Sequence, residues 1–136
     1  MKRKNFTAWA LLLFLIVSLA GCSSREDDDK NTVSYQQITA EEAKSMMEEQ
    51  PDAVILDVRE QDEYDAGHIP GAMLLKVGTI NEETAASVIP EKDTVVLVYC
   101  RSGNRSKTAS QALADLGYTQ IYEFGGIKDW PYEVER

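Results

Sequence analysis

Seven consecutive residues, Cys100 to Ser106, read CRSGNRS and gather a thiol, two arginines, a glycine and two hydroxyls. They follow TVVLVY, a run suited to a buried strand, and precede a helical pattern that stops at Gly117. A loop in that seam feeds a helix N-terminus, where backbone N–H groups lack intrahelical partners and the positive end of the helix dipole adds to them. Anions belong there. Gly103 lets the backbone fold around the spot because it takes φ > 0 without penalty. Ser102 and Asn104 complete the loop, and Arg101 and Arg105 add two positive charges, each able to fork onto an oxyanion. A thiol in that field ionises readily, with pKa values in comparable settings falling to roughly 3.5–7.5. Cys100 is thus a nucleophile by its setting. On this reading Arg105→Ala raises the thiol pKa, and Ser106→Ala does much less.

A thiolate in an anion cradle suits phosphoryl transfer through a Cys-x5-Arg loop, or transfer of a sulfur atom through a persulfide. Spacing separates the two. The arginine of a Cys-x5-Arg loop would stand at 106, where the sequence has Ser106, and the arginine is at 105. The loop is one residue short for the phosphatase pattern.

Other polar residues have plainer readings. Asp57 and Arg59 are expected to lock a neighbouring loop with a partner such as Glu60 or Glu63. His68, the only histidine, reads as part of a structural turn, since a preionised thiolate needs no base. Gly125, Gly126 and Trp130 read as the turn and packing that close a sheet, Met46 and Met47 as core filler, and the EDDDK run as linker chemistry with no metal role.

The elements that must position these groups alternate along the chain, which predicts an α/β domain with a largely parallel sheet. SYQQI is a short first strand. Thr39 and Glu42 have capping-box spacing at the head of a helix that ends at Pro51. AVILDV is a continuous apolar run of the kind a doubly buried strand shows. EQDEYDAG predicts a short helix closed by Gly67, and HIPGAMLLKV a turn into a third strand. Thr79 and Glu82 repeat the capping-box spacing, with Ile80, Ala85, Val88 and Ile89 as the inner face of the helix. TVVLVY is the fourth strand. Ala109, Ala112, Leu113 and Leu116 then mark an amphipathic helix from Arg105 to Leu116, and IYEF is the fifth strand. In such a sheet ligands bind beyond the carboxyl ends of the strands, where both Asp57–Glu60 and Cys100–Ser106 fall.

CRSGNRS, preceded by VVLVYC, resembles the six-residue active-site loop of the rhodanese family. LDVREQDEYDAGHIPGAMLL is similar to that family's Asp-x-Arg block followed by Gly-His-Ile-Pro-Gly-Ala, and LGYTQIYEFGGIKDW to its closing segment. The resemblance implies a three-layer fold with a mostly parallel five-stranded sheet flanked by helices. It implies transfer of sulfane sulfur from donors such as thiosulfate to thiophilic acceptors such as cyanide or thiols, with neither metal nor organic cofactor. Cys100 becomes the persulfide-forming nucleophile, and Arg101, Ser102, Gly103, Asn104 and Arg105 the cradle for the persulfide and the donor's anionic group. The chain departs from the family by ending six residues after Trp130, so a frayed last helix is expected.

At the other end, MKRKN, FTAWALLLFLIVSLA and LAGC follow the plan of a secretory signal, and Leu19 to Cys22 resemble the bacterial lipobox. Residues 1–21 are therefore expected to be a lipoprotein signal peptide, with Cys22 lipidated and 22–33 an acidic tether, ahead of a rhodanese-like domain from 34 to 136. An uncleaved anchor helix is the competing reading. Both place the domain in the cell envelope, on the extracytoplasmic side of a bacterial membrane. Removing residues 1–21 leaves 115 residues with 11 basic against 23 acidic, a net charge of −12, which repels nucleic acid. With Cys22 lipidated, Cys100 is the only thiol left.

The expected activity is a ping-pong sulfurtransferase acting on a small anionic donor and a thiol or cyanide acceptor. The alternatives are a non-enzymatic persulfide carrier that docks an extracytoplasmic redox partner and, third, a small phosphatase or arsenate reductase.

Overall fold

The computed structural model describes residues 34–136. The expected signal peptide, Cys22 and the tether lie outside the described residues. In chain order the elements are β1 (Gln36–Gln37), α1 (Ala40–Glu49), β2 (Val54–Asp57), α2 (Gln61–Ala66), β3 (Met73–Leu74), α3 (Glu82–Val88), β4 (Val95–Cys100), α4 (Asn104–Asp115) and β5 (Gln120–Gly126). Short 3-10 turns occupy Val77–Thr79 and Ile127–Asp129. The five strands form one sheet in the order β1-β5-β4-β2-β3, and every neighbouring pair is parallel. The strand carrying Cys100 is therefore central. The chain reaches β4 by stepping back over β2 and leaves it on the opposite side, so β4 stands where the strand order reverses.

Side-chain alternation along β4 divides the core. Val96, Val98 and Cys100 join a cluster with Ala85, Ile89, Ala109 and Leu113, from α3 and α4. Leu97 and Tyr99 join the opposite cluster, with Ala43 of α1, Ile69, Phe124 and Trp130. Both faces of the strand are covered, which is why TVVLVY reads as a continuous apolar run. Met46 and Met47 pack against the second cluster, as core filler should.

The Thr39–Glu42 capping box forms as its spacing predicts, with bonds of 3.1 and 2.8 Å. The second expected box does not. Val77 donates to the Val58 carbonyl, and Thr79 closes the 3-10 turn by donating its hydroxyl to Lys76 O. That turn consumes Thr79, so α3 starts later, with Asn81 and Thr84 as the reciprocal pair at 3.0 Å each. The tail also differs from expectation. After Trp130 there is no frayed helix; Glu135 exchanges two 2.8 Å backbone bonds with His68 and ties the chain end to the loop after α2.

Candidate active site

Cys100 is the last residue of β4, and its sulfur lies beneath the loop, only 1% exposed. Gly103, the N-cap of α4, adopts φ +101°. That left-handed turn aims its own N–H at Cys100 Sγ, 3.0 Å away. The Ser106 hydroxyl sits 3.4 Å from the same sulfur. The loop lies directly on the end of β5: a Cβ on Gly126 would fall 2.0 Å from the Arg101 carbonyl oxygen. Only glycine admits that approach, so the second glycine of the pair positions the loop itself.

Burial pushes the Cys100 thiol up, but the Ser106 hydroxyl and the N–H groups of Ser106, Gly103 and Ser102 outweigh it, and the thiol lies below its ordinary value. Of the expected amides, the Gly103 N–H bonds the sulfur directly. Against the expected order of Arg105 over Ser106, the Ser106 hydroxyl touches the sulfur, while Arg105 acts on it only through its charge. Arg105 forks onto Glu63 at 2.7 and 2.8 Å, an ion pair that holds α2 against α4 and engages the guanidinium expected to receive the donor. Arg101, Ser102 and Asn104 are exposed around the loop and Gly103 is buried within it.

The ion pair makes stability depend on pH. The Arg105 bond holds the Glu63 carboxyl down from 4.5 to about 2. A carboxylate depressed in the folded state stabilises above its unfolded value, and the contribution disappears as pH falls through the folded one. Both side chains are partly exposed, so about 1 kcal/mol or less is at stake. In melting curves, wild type should exceed Glu63→Gln above pH 4.5, and the gap should close as pH falls toward about 2.

Asp57 and Arg59 do form a lock, but with each other. Arg59 binds both Asp57 carboxylate oxygens, at 2.6 Å for the shortest contact, and donates to Gly67 O at 2.7 Å. Tyr99 donates to Asp57 at 2.7 Å and accepts from Ile69 N–H at 3.1 Å. Burial would lower the Arg59 guanidinium, but its bond to Asp57 prevails and holds it above its ordinary value. Burial and the Asp57 bond together hold the Tyr99 phenol far above its usual range. The expected partners Glu60 and Glu63 are not used: Glu63 serves Arg105. Tyr99 and Cys100 are adjacent on β4 and point to opposite faces, so this lock supports the turn at Gly67–Ile69 and stays off the sulfur. His68 stacks on Tyr64, with ring centroids 3.8 Å apart, in keeping with a structural turn.

The site is a buried cysteine at the end of a central parallel strand, under a loop that opens a helix. The family model described as Rhodanese-like domain matches residues 39–132. The chain belongs to that family. Among rhodanese-like relatives, it is 36% identical over 74 residues to thiosulfate sulfurtransferase PspE of Escherichia coli, covering 54% of this chain and 70% of that protein. It is 31% identical over 111 residues to the putative sulfur carrier protein YrkF of Bacillus subtilis, covering 81% of this chain and 58% of that one. A solved rhodanese with anions from E. coli superposes with a TM-score of 0.58 at 31% identity, covering 62% of this chain and 98% of its own.

Two residues of this rhodanese-like site, Glu63 and Glu123, lie outside the loop, and a third, Ser106 within it, has a larger part than expected. Ser106 touches the sulfur because it stands three residues after the helix N-cap, on the turn that faces back toward the loop. Glu123 accepts the Ser106 hydroxyl at 2.6 Å from the far side. Its signal is a charge inside IYEF at a position that alternation places inward, beside Ile121. Glu63 lies 42 residues from its partner and has no local signal. Among the described residues no group of three or more His, Cys, Asp or Glu is placed to hold a metal. A groove among Met47, Ile69, Trp130 and Tyr132 lies on the other side of the sheet, and no residue of the Cys100–Ser106 loop lines it.

Proposed function

We propose that this rhodanese-like domain is a sulfurtransferase that carries sulfane sulfur on Cys100 from an anionic donor such as thiosulfate to cyanide or a thiol. The observation that carries the reading is the Cys100 sulfur held 3.0 Å from the Gly103 N–H at a helix N-terminus. The thiolate attacks the sulfane sulfur of thiosulfate, the S–S bond of the donor breaks, and sulfite leaves with the electron pair. The persulfide anion stays among the N–H groups of Ser102, Gly103 and Ser106. Arg101, exposed at the rim, supplies a cation for the donor, because Arg105 is held by Glu63. The name of PspE supports thiosulfate as donor. Sulfite is a stable leaving group, so the step calls for no metal or organic cofactor.

On mixing with thiosulfate, the purified protein should gain the mass of one sulfur atom, lose it to cyanide as thiocyanate, and leave aryl phosphates uncleaved. Ready phosphate hydrolysis with no gain of sulfur would reverse the assignment in favour of a phosphatase.

The name of YrkF favours a second reading, a persulfide carrier serving a protein partner. A carrier loads with sulfur but fails to turn over with free small molecules. Steady-state thiocyanate production separates the two.

The domain is further proposed to span residues 34–136, tethered by residues 22–33 to a lipid on Cys22 on the extracytoplasmic side of a bacterial membrane. LAGC at the end of the apolar leader supports the anchor. Fractionating cells that express Cys22→Ala tests it: release from the membrane is expected, and unchanged maturation and membrane recovery would rule out lipidation at Cys22.

A further inference from the structure

Glu123 is 2% exposed and makes no ion pair among the described residues. Its neutralisation comes from neutral donors alone: the Ser106 hydroxyl at 2.6 Å and Gly125 N–H at 2.9 Å on Oε1, and the Gln37 amide at 3.2 Å on Oε2. A buried carboxylate without a cation has only its hydrogen bonds to offset the loss of water. Ser106 has one hydroxyl hydrogen, and besides the Gly103 and Gly125 carbonyls at 3.0 and 3.4 Å two ionisable groups compete for it, Glu123 at 2.6 Å and the Cys100 sulfur at 3.4 Å. When that hydrogen is on the Glu123 side, Ser106 Oγ accepts from the Cys100 thiol at 3.4 Å; when Cys100 is a thiolate, the hydroxyl must turn to the sulfur. With Cys100 ionised, the sulfur keeps the Gly103 N–H and Glu123 keeps the Gly125 N–H and the Gln37 amide, but the two anions share one hydroxyl, so one of them has a donor fewer.

We propose that Glu123, acting through Ser106, takes the proton Cys100 releases when it ionises and returns it when the sulfur has been delivered. This rests on the sulfur-transfer reading and adds the proton's location to it. In the loading half, the S–H bond of Cys100 breaks as Ser106 Oγ accepts the proton, and the Ser106 hydrogen passes to Glu123 Oε1. The thiolate then takes the sulfane sulfur and sulfite departs. Cys100 thiol, Glu123 carboxylate and thiosulfate thus become Cys100 persulfide anion, Glu123 carboxylic acid and sulfite, with total charge unchanged. In the unloading half, cyanide removes the outer sulfur as thiocyanate, and the freed thiolate recovers its proton along the same path. The buried cluster carries one negative charge throughout. Ser106 is the group in contact with the reacting sulfur; Glu123 is a positioning residue for its proton. The groups facing the cluster are Gln37 from β1, Cys100 from β4, Ser106 from α4 and the Gly125 N–H from β5, with the Arg105–Glu63 pair and Arg101 at the loop.

Two measurements on the full chain test this. The first is the rate of Cys100 alkylation by iodoacetamide against pH. Coupled groups titrate in macroscopic steps, so wild type should rise in two steps. Glu123→Gln keeps the hydrogen-bond acceptor and removes the charge; it should rise in one step, about one pH unit or more below the second wild-type step. On a Ser106→Ala background the same change should move the curve little further. Identical single-step curves for wild type and Glu123→Gln would overturn the relay, because a purely structural Glu123 leaves the profile alone. The second needs no substitution at 123: infrared difference spectra of wild type on mixing with thiosulfate should gain one protonated-carboxyl band per sulfur loaded, absent from Cys100→Ser. Sulfur loading without that band would send the proton to solvent and overturn the relay while leaving sulfur transfer intact. Failure to load sulfur at all would sink the sulfur-transfer reading, and the alkylation profile would still decide the relay.

Discussion

Cys100→Ser should bring both sulfur loading from thiosulfate and thiocyanate release to background while leaving the fold in place. A serine hydroxyl is not ionised by the donors that depress the thiol, since its pKa lies far higher, and an alkoxide has little affinity for sulfur. The buried site at the end of β4 accommodates the smaller oxygen, and its neighbours, the Gly103 N–H and the Ser106 hydroxyl, bond to oxygen as well as to sulfur. Stability is therefore expected to change by about 1 kcal/mol or less, so lost activity cannot be laid to unfolding. Mass measurement after donor treatment, with a urea melt on the same sample, checks both halves. Sulfur uptake by the serine variant would remove Cys100 from the reaction.

The largest stability effect is expected at Asp57. Asp57→Ala removes the counter-charge of Arg59, which is 5% exposed, and leaves Tyr99 without an acceptor. Breaking one side of a buried ion pair costs about 3–5 kcal/mol, because the surviving charge stays in a poor solvent. For a domain of marginal stability this is a large fraction of the total. Tyr99→Phe should cost less, about 1–3 kcal/mol, chiefly by leaving the buried Ile69 N–H unpaired. Urea midpoints at constant slope measure both. Because the lock faces away from the sulfur, Cys100 alkylation in the folded fraction should keep its wild-type pH profile in either variant. A shifted profile would connect the two faces of the sheet.

The strand at Val95–Cys100 and the helix behind it are legible in local sequence, because a doubly buried strand needs an unbroken apolar run and a helix needs periodic apolar positions. Gly103 at the helix N-cap follows the same local logic, and Gly117, at φ +93°, ends α4 as its position predicts. The second capping box failed for a non-local reason: the Val77 bond to Val58 O set where the chain could begin to coil. The lock at Asp57 and Arg59 is legible in sequence, but its partner is not, since Glu60 and Glu63 lie as near and spacing does not rank the carboxylates.

That the Cys100 thiol meets unpaired amides at a strand-to-helix seam is legible locally, since every group involved lies within a few residues of it. The partners of the side chains around the thiol depend on the tertiary structure. Arg105, five residues from Cys100, turns to Glu63 on α2, while Glu123, from the neighbouring strand β5, reaches Ser106. Hydrogen bonds act only at about 3 Å, and charge interactions weaken with distance. Partners separated by 17 or 42 residues therefore acquire their roles when the parallel sheet sets β4 beside β5 and brings α2 against α4.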